Sequence, residues 1–168
     1  MEVIGSAVDR PDSMITPQLT AYLRREFRLE WSGIHGAPHW ARVHANGLKL
    51  ARLNGARQDV VELFAFLHDI QRMHDGSDRS HGPRAADSLF ALNGDLFRLD
   101  SAGLDMLIYA CRHHSDGLVE GDVTIRTFWD ADRLDLGRVG IMPCASKLAT
   151  REAKDPKVIE WAYSRSVR

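Results

Sequence analysis

Residues 64–72 read FAFLHDIQR. They close an apolar run that begins at Val60 and stops on an adjacent histidine and aspartate, His68 and Asp69. Val60, Val61, Phe64 and Leu67 recur at the spacing of one helix face, which predicts a buried helix with Asp59 placed to cap its start. As a plain helix end, the doublet would cap the helix or face water. As chemistry, an imidazole beside a carboxylate suits a divalent cation.

Working outward, the same period recurs along the chain. Thr16-Pro17 reads as a cap and first helical residue, followed by Leu19, Tyr22, Leu23 and Phe27. After Pro38 a second helix, starting almost at His39, carries Trp40, Val43, Gly47, Leu48 and Ala51 to an Asn54-Gly55 stop. Downstream of the doublet helix, a polar loop over 73–82 leads from Ser80 into a fourth helix ending at Asn93-Gly94, with Pro83 tolerable in its first turn. A fifth runs from Asp100 or Ser101 to His113-His114.

Residues 122–135, DVTIRTFWDADRLD, alternate like a strand at Val123, Ile125, Thr127 and Trp129 but also fit a helix. The helix is favoured, because no second convincing strand exists to pair with the segment. Pro143 and Asp155-Pro156 each read as a helix start, giving two closing helices that either pack on the bundle or form a dimer interface. The fold class is all-α: a lead-in over 1–15 and one helical domain over 16–168. Trp40, Phe64, Phe66, Phe128 and Trp129 are expected in its core.

Composition narrows the function. A chain of 168 residues with 44% hydrophobic and 27% charged residues fits one globular domain. Lys plus Arg (22) nearly cancel Asp plus Glu (23), so no global basic field exists to hold a large nucleic acid. Cys111 and Cys144 are too few for a disulfide framework or a thiolate zinc cluster. No stretch approaches the roughly 18 consecutive apolar residues of a membrane span, and the N-terminus lacks a signal-peptide pattern. A soluble cytoplasmic protein is expected.

The ligand-type residues then sort by position. His39 opens the second helix, His68-Asp69 close the third, His81 precedes the fourth, His113-His114 close the fifth, and Asp132 lies in the sixth. Several helices of a bundle can bring such termini to one point. Imidazoles and carboxylates without thiolates suit Mn, Fe, Co, Ni or Zn, and a shared carboxylate can bridge two ions. Asp130 and Asp135 are rivals to Asp132. His113 and His114 point about 100° apart on an ideal helix, so both ligate only if the helix ends between them or two ions stand apart. His35, His44 and His74 are given no role, and Lys147 is read as solvated.

The order His39, His68-Asp69, Asp132 resembles the H…HD…D signature of the HD superfamily of metal-dependent phosphohydrolases. "HWARV" is similar to that family's first-helix motif, "FLHDI" to its doublet and "DADRLDLGRVG" to its final aspartate motif. The resemblance spans about residues 35–150 and favours Asp132 over its rivals. His81 and the pair in "RHHSDG" are similar to the extra ligands of the dinuclear branch, which includes cyclic-di-GMP phosphodiesterases. Arg72, three positions after Asp69, also matches that branch. Its Gly-Tyr-Pro does not occur here, since "LVEGD" follows Asp116-Gly117.

The resemblance implies hydrolysis of a phosphate ester or anhydride in a small substrate, most plausibly a nucleotide, by metal-activated hydroxide. Asp69 would bridge two divalent ions, His39, His68 and Asp132 would complete one site, and His81 with His113 or His114 the other. Arg42, one turn from His39, and Arg72 would contact phosphate. Two further readings are a dinuclear iron oxygenase and a nucleotide-sensing domain without turnover. The sequence leaves the oligomeric state open.

Overall fold

The computed structural model describes residues 13–167. Seven α-helices are described: α1 (Pro17–Glu26), α2 (Ala37–Asn54), α3 (Gln58–Leu67), α4 (His81–Leu92), α5 (Ser101–His113), α6 (Val123–Arg133) and α7 (Pro156–Ser166). Short 3-10 turns occupy Leu136–Val139 and Ala145–Lys147. Among the described residues there is no β-strand, only one isolated bridge between Asn93 and Phe97. The expected all-α class is observed.

The helix starts follow local chemistry. Thr16 Oγ1 accepts the Leu19 amide at 3.1 Å, Asp100 accepts that of Gly103 at 2.7 Å, and Asp122 accepts that of Thr124 at 2.7 Å. Each satisfies a backbone donor that the first helical turn leaves free. The Asp122 cap accompanies the resolution of the ambiguous segment. Thr124, Thr127 and Phe128 are buried at helical spacing, whereas Val123 and Ile125 are only half-buried, so the apparent alternation is incidental.

Two expected starts differ. The cap of α3 is Arg57, and Asp59 lies inside the first turn with its carboxylate held by Arg57 at 2.7 Å. Its charge still favours the positive helix end. Pro143 opens no α-helix; the segment after it holds only the three-residue turn at 145–147. The reason is Asp130, whose carboxylate accepts the Ala149 and Thr150 amides at 2.8 and 2.7 Å and the Thr150 hydroxyl at 2.7 Å. Those amides are thereby held away from a helical ladder, and Leu148 stays extended at ψ 150.

Helix α3 is the centre of the bundle. It is buried from Val60 to Leu67 and packs against α2, α5 and α6, while α4 leans on α5. Trp40, Phe64, Phe66, Phe128 and Trp129 are fully buried, as expected. Phe64 stacks on Phe128 with ring centres 5.1 Å apart. A smaller apolar cluster of Leu50, Leu134, Leu148 and Val158 seats α7, which therefore packs on the bundle, against α2 and the 136–139 turn.

Most of the expected lead-in lies outside the described residues. Of its last three residues, Ile15 is buried in the main core, and the Met14 amide donates to Glu62 at 2.9 Å.

Candidate metal centre

The buried α3 delivers His68 and Asp69 at its end, where both are almost wholly shielded from solvent. The first turn of α2 brings His39, the last turn of α6 brings Asp132, and α4 and α5 bring His81 and His114. Each imidazole has its Nδ1 committed elsewhere. His39 Nδ1 donates to Asp135 at 2.7 Å, His68 Nδ1 to the Phe64 carbonyl at 3.0 Å, and His114 Nδ1 to the Cys111 carbonyl at 2.7 Å. His81 Nδ1 donates to the Asp78 carbonyl.

With the proton on Nδ1, a neutral imidazole presents only a lone pair at Nε2. The four Nε2 atoms nevertheless approach in pairs, His39 to His68 at 3.1 Å and His81 to His114 at 2.7 Å. Lone pairs at such distances repel unless a positive charge lies between them. The carboxylates add more negative charge. His39 Nε2 lies 3.6 Å from Asp69 Oδ2 and 3.4 Å from Asp132 Oδ1, and His68 Nε2 lies 3.6 and 3.7 Å from the same two atoms. Asp69 Oδ1 faces the other pair, 3.1 Å from His81 and 3.6 Å from His114.

The donors form three overlapping groups, His39–His68–Asp69, His68–His114–Asp132 and Asp69–His81–His114, and Asp69 turns one oxygen toward His39 and His68 and the other toward His81 and His114. Donors each about 2.1 Å from a common ion stand roughly 3.0–3.4 Å apart for right-angle to tetrahedral arrangements. The observed separations, from 2.7 to 3.7 Å, bracket that range, so the residues fit divalent cations. His39, His68, Asp69 and Asp132 could hold a cation, and so could Asp69, His81 and His114.

No family model and no curated protein matches the sequence. The structure does match a solved one, described as a "predicted HD superfamily hydrolase" from an uncultured Thermotogales bacterium. The TM-score is 0.66 at 26% sequence identity, covering 88% of this chain and 84% of that one. The chain has the fold of an HD-domain protein. The fold and the clustered imidazoles and carboxylates together support a metal-dependent hydrolase family.

Electrostatics in this HD-domain protein are consistent with the grouping. Burial, assisted by the Arg138 charge, holds His39 well below the ordinary imidazole range, and burial also lowers His68. Burial opposes ionisation of Asp69, but His68, His114 and His81 around it hold its carboxyl well below the usual range. Burial likewise opposes charge on His114, yet Asp69 raises it.

The expected ligands sort clearly. His39, His68, Asp69, His81, His114 and Asp132 come together. His113 does not: its side chain is partly exposed and its Nδ1 pairs with Asp116 at 2.7 Å. The helix turns about 100° per residue, so His113 points outward where His114 points in.

Arg42 is on the same helix face as His39, but Asp135 intervenes. Arg42 Nε and Nη2 grip that carboxylate at 2.6 and 3.1 Å, so the arginine acts on His39 through Asp135 and does not line the cavity beside the cluster. Arg72 does line it, with Nε 3.2 Å from Asp69 Oδ1.

That cavity, about 770 Å³, opens from Asp69, His114 and Asp132 at its floor. Arg133, Arg138 and Lys147 also line it; the first two are assigned no role from the sequence motif, and Lys147 reads there as solvated. The spacing of Asp132, Asp135 and Arg138, three residues apart on a helix end, was a usable signal for Asp135 and Arg138. Nothing local marks Lys147, which reaches the rim because Asp130 holds the segment after α6 in place.

Proposed function

We propose that this HD-domain protein hydrolyses a phosphate ester or anhydride in a small substrate, with a nucleotide as the class suggested by its sequence resemblance. One observation carries the reading: the two oxygens of Asp69 face two separate imidazole pairs. That is the arrangement expected of a carboxylate shared by two cations. Mn, Fe, Co, Ni and Zn all suit the nitrogen and oxygen donors. When bound, such ions supply Lewis acidity toward phosphoryl oxygens and lower the pKa of water from 15.7 to about 7.

The chain's own residues do the positioning. Backbone carbonyls and Asp135 fix the tautomer of every imidazole, which keeps each Nε2 lone pair aimed inward. Arg72, Arg133 and Arg138 supply fixed positive charge along the cavity. Each is already tied to protein acceptors, so little reorganisation is needed when an anionic phosphoryl group enters. Phosphoryl transfer asks mainly for such positioning and charge stabilisation. The cavity volume lies within the range of small-molecule sites.

A cytoplasmic setting accords with two unpaired thiols, Cys111 and Cys144. Among the described residues no helix is long and apolar enough to cross a membrane.

The test is metal content by elemental analysis on protein purified without chelator, paired with a phosphatase screen of wild type and Asp69→Ala. About two ions per chain, with hydrolysis lost in the variant, is expected. Wild-type turnover retained in Asp69→Ala overturns the scheme. Oxygen consumption in place of phosphate release would move the site to the iron oxygenase reading, and nucleotide binding without product would make the domain a sensor.

A further inference from the structure

The far side of the cavity differs from its floor. Ile141 and Met142 stand next to each other on its wall, 52% and 55% exposed. They are not on a loose loop. The Ile141 amide donates to the Leu136 carbonyl at 3.1 Å, Arg133 donates to the Lys147 carbonyl at 3.2 Å, and Asp130 clamps residues 149 and 150. The backbone therefore holds two apolar side chains in water beside a site that takes a ligand, where covering them is favourable.

Lys147 lines the same cavity, from the segment that follows them. The three arginines of the cavity are all hydrogen-bonded to protein acceptors, but the Lys147 ammonium has no hydrogen bond or ion pair among the described residues. It is a cation on a flexible stem, uncommitted where the arginines are committed. The rest of the wall is chemically plain. Among the described lining residues there is no Asn, Gln, Phe, Tyr or Trp; Ser115 and Ser146 are the neutral hydroxyl-bearing residues. Such a wall offers area to a ligand but neither an amide to read a hydrogen-bonding edge nor a ring to stack a base.

We propose that Lys147 with the adjoining Ile141–Met142 lip is the specificity element of this site: Lys147 takes a second negative group of the substrate, one not being cleaved, and the lip takes the substrate's less polar body by contact alone. The inference rests on the hydrolase reading for the word substrate, but the recognition it describes is tested by binding. The site prefers a doubly anionic compound with a sizeable body over a bare sugar phosphate, and tolerates exchange of one base for another.

The experiment measures Kd on metal-loaded protein, or KM where a compound turns over. The ligands are adenosine 5′-monophosphate, adenosine 3′,5′-bisphosphate, cytidine 5′-monophosphate and ribose 5-phosphate. In Lys147→Met the bisphosphate weakens about tenfold and the monophosphate is unchanged, the scale of one charge-assisted contact. In Ile141→Ser/Met142→Ser the two nucleoside monophosphates weaken about tenfold toward the level of ribose 5-phosphate, which itself does not move. Both sites of substitution are exposed, so the fold is retained.

Equal effects of Lys147→Met on both adenosine compounds, or none on either, overturn the anion assignment. Adenosine and cytidine monophosphates differing more than about tenfold in wild type overturn the contact-only body site, as does failure of every compound to bind. If no compound is hydrolysed but the affinity pattern holds, the hydrolase reading fails and the specificity element stands.

Discussion

His39 illustrates how a single residue is made into a ligand. Its Nε2 faces the cluster while Asp135 takes Nδ1, and Arg42 grips both Asp135 oxygens, with Arg138 and Arg165 adding positive charge nearby. Burial pushes the Asp135 carboxyl up, and Arg42 works against that push. Asp135→Asn preserves shape but removes the charge, so metal affinity in a chelator competition should fall about 10- to 100-fold with the fold intact. Asp130, two residues before Asp132, has a different job. It satisfies three donors of the 149–150 segment from a fully buried position. Asp130→Ala strands those donors, and should lower unfolding stability by about 2–4 kcal/mol in denaturant titration while leaving the ligand atoms in place. The "DADRLD" stretch thus holds a buried clamp, a ligand-type carboxylate and an orienting carboxylate. The motif resemblance singles out Asp132, but the clamp and orienting roles of Asp130 and Asp135 are not separable in sequence, because all three are one residue type at a helix end and only tertiary contacts distinguish them.

At the scale of elements, the second imidazole pair depends on how closely α4 approaches the end of α5. Gly82, next to His81, is what permits it. A side-chain carbon there would meet the Cys111 carbonyl oxygen at 2.6 Å and His114 Nδ1 at 3.2 Å. Backbone cannot yield as a flexible side chain can, so Gly82→Ala should push α4 off α5 and part His81 from His114. The expected readout is metal content: about two ions per chain in wild type falling to about one, with the His39, His68 and Asp132 group still loaded. Retention of both ions would show that the close approach is dispensable. Helix positions were legible from capping residues and spacing, and the doublet's placement followed from the apolar run before it. The missing helix after Pro143 was not legible, since a proline start signal cannot report that Asp130 takes the amides a helix would use.

Over the whole molecule, six ligand-type residues from α2 to α6 converge on one buried point, so the cluster crosslinks the helices that form the core. Without cations the close lone pairs and carboxylates repel, and anything that binds the folded state alone stabilises it by mass action. Chelation should lower the melting temperature, with recovery on adding back a divalent transition metal. The metal-free protein should also be sensitive to acid. His39 and His68 are neutral and buried with lowered pKa values, so below about 6.5 the unfolded chain binds protons that the folded chain refuses, and stability is lost as pH falls. Asp69 acts in the same direction at lower pH, its depressed pKa contributing stability that is lost as pH falls through the folded value. His114 is opposite in sign: its raised pKa contributes stability below about 6.5 that is lost as pH rises. Three lowered imidazoles, His35 among them, oppose one raised one, so the metal-free melting temperature should be a few degrees lower at about pH 5.5 than at about pH 7.5. His39→Gln removes one of the three acid-sensitive imidazoles and should reduce that difference. A profile that instead rose toward acid would mean the raised imidazole dominates and that a proton on His114, shared with Asp69, is the main support of the empty cluster.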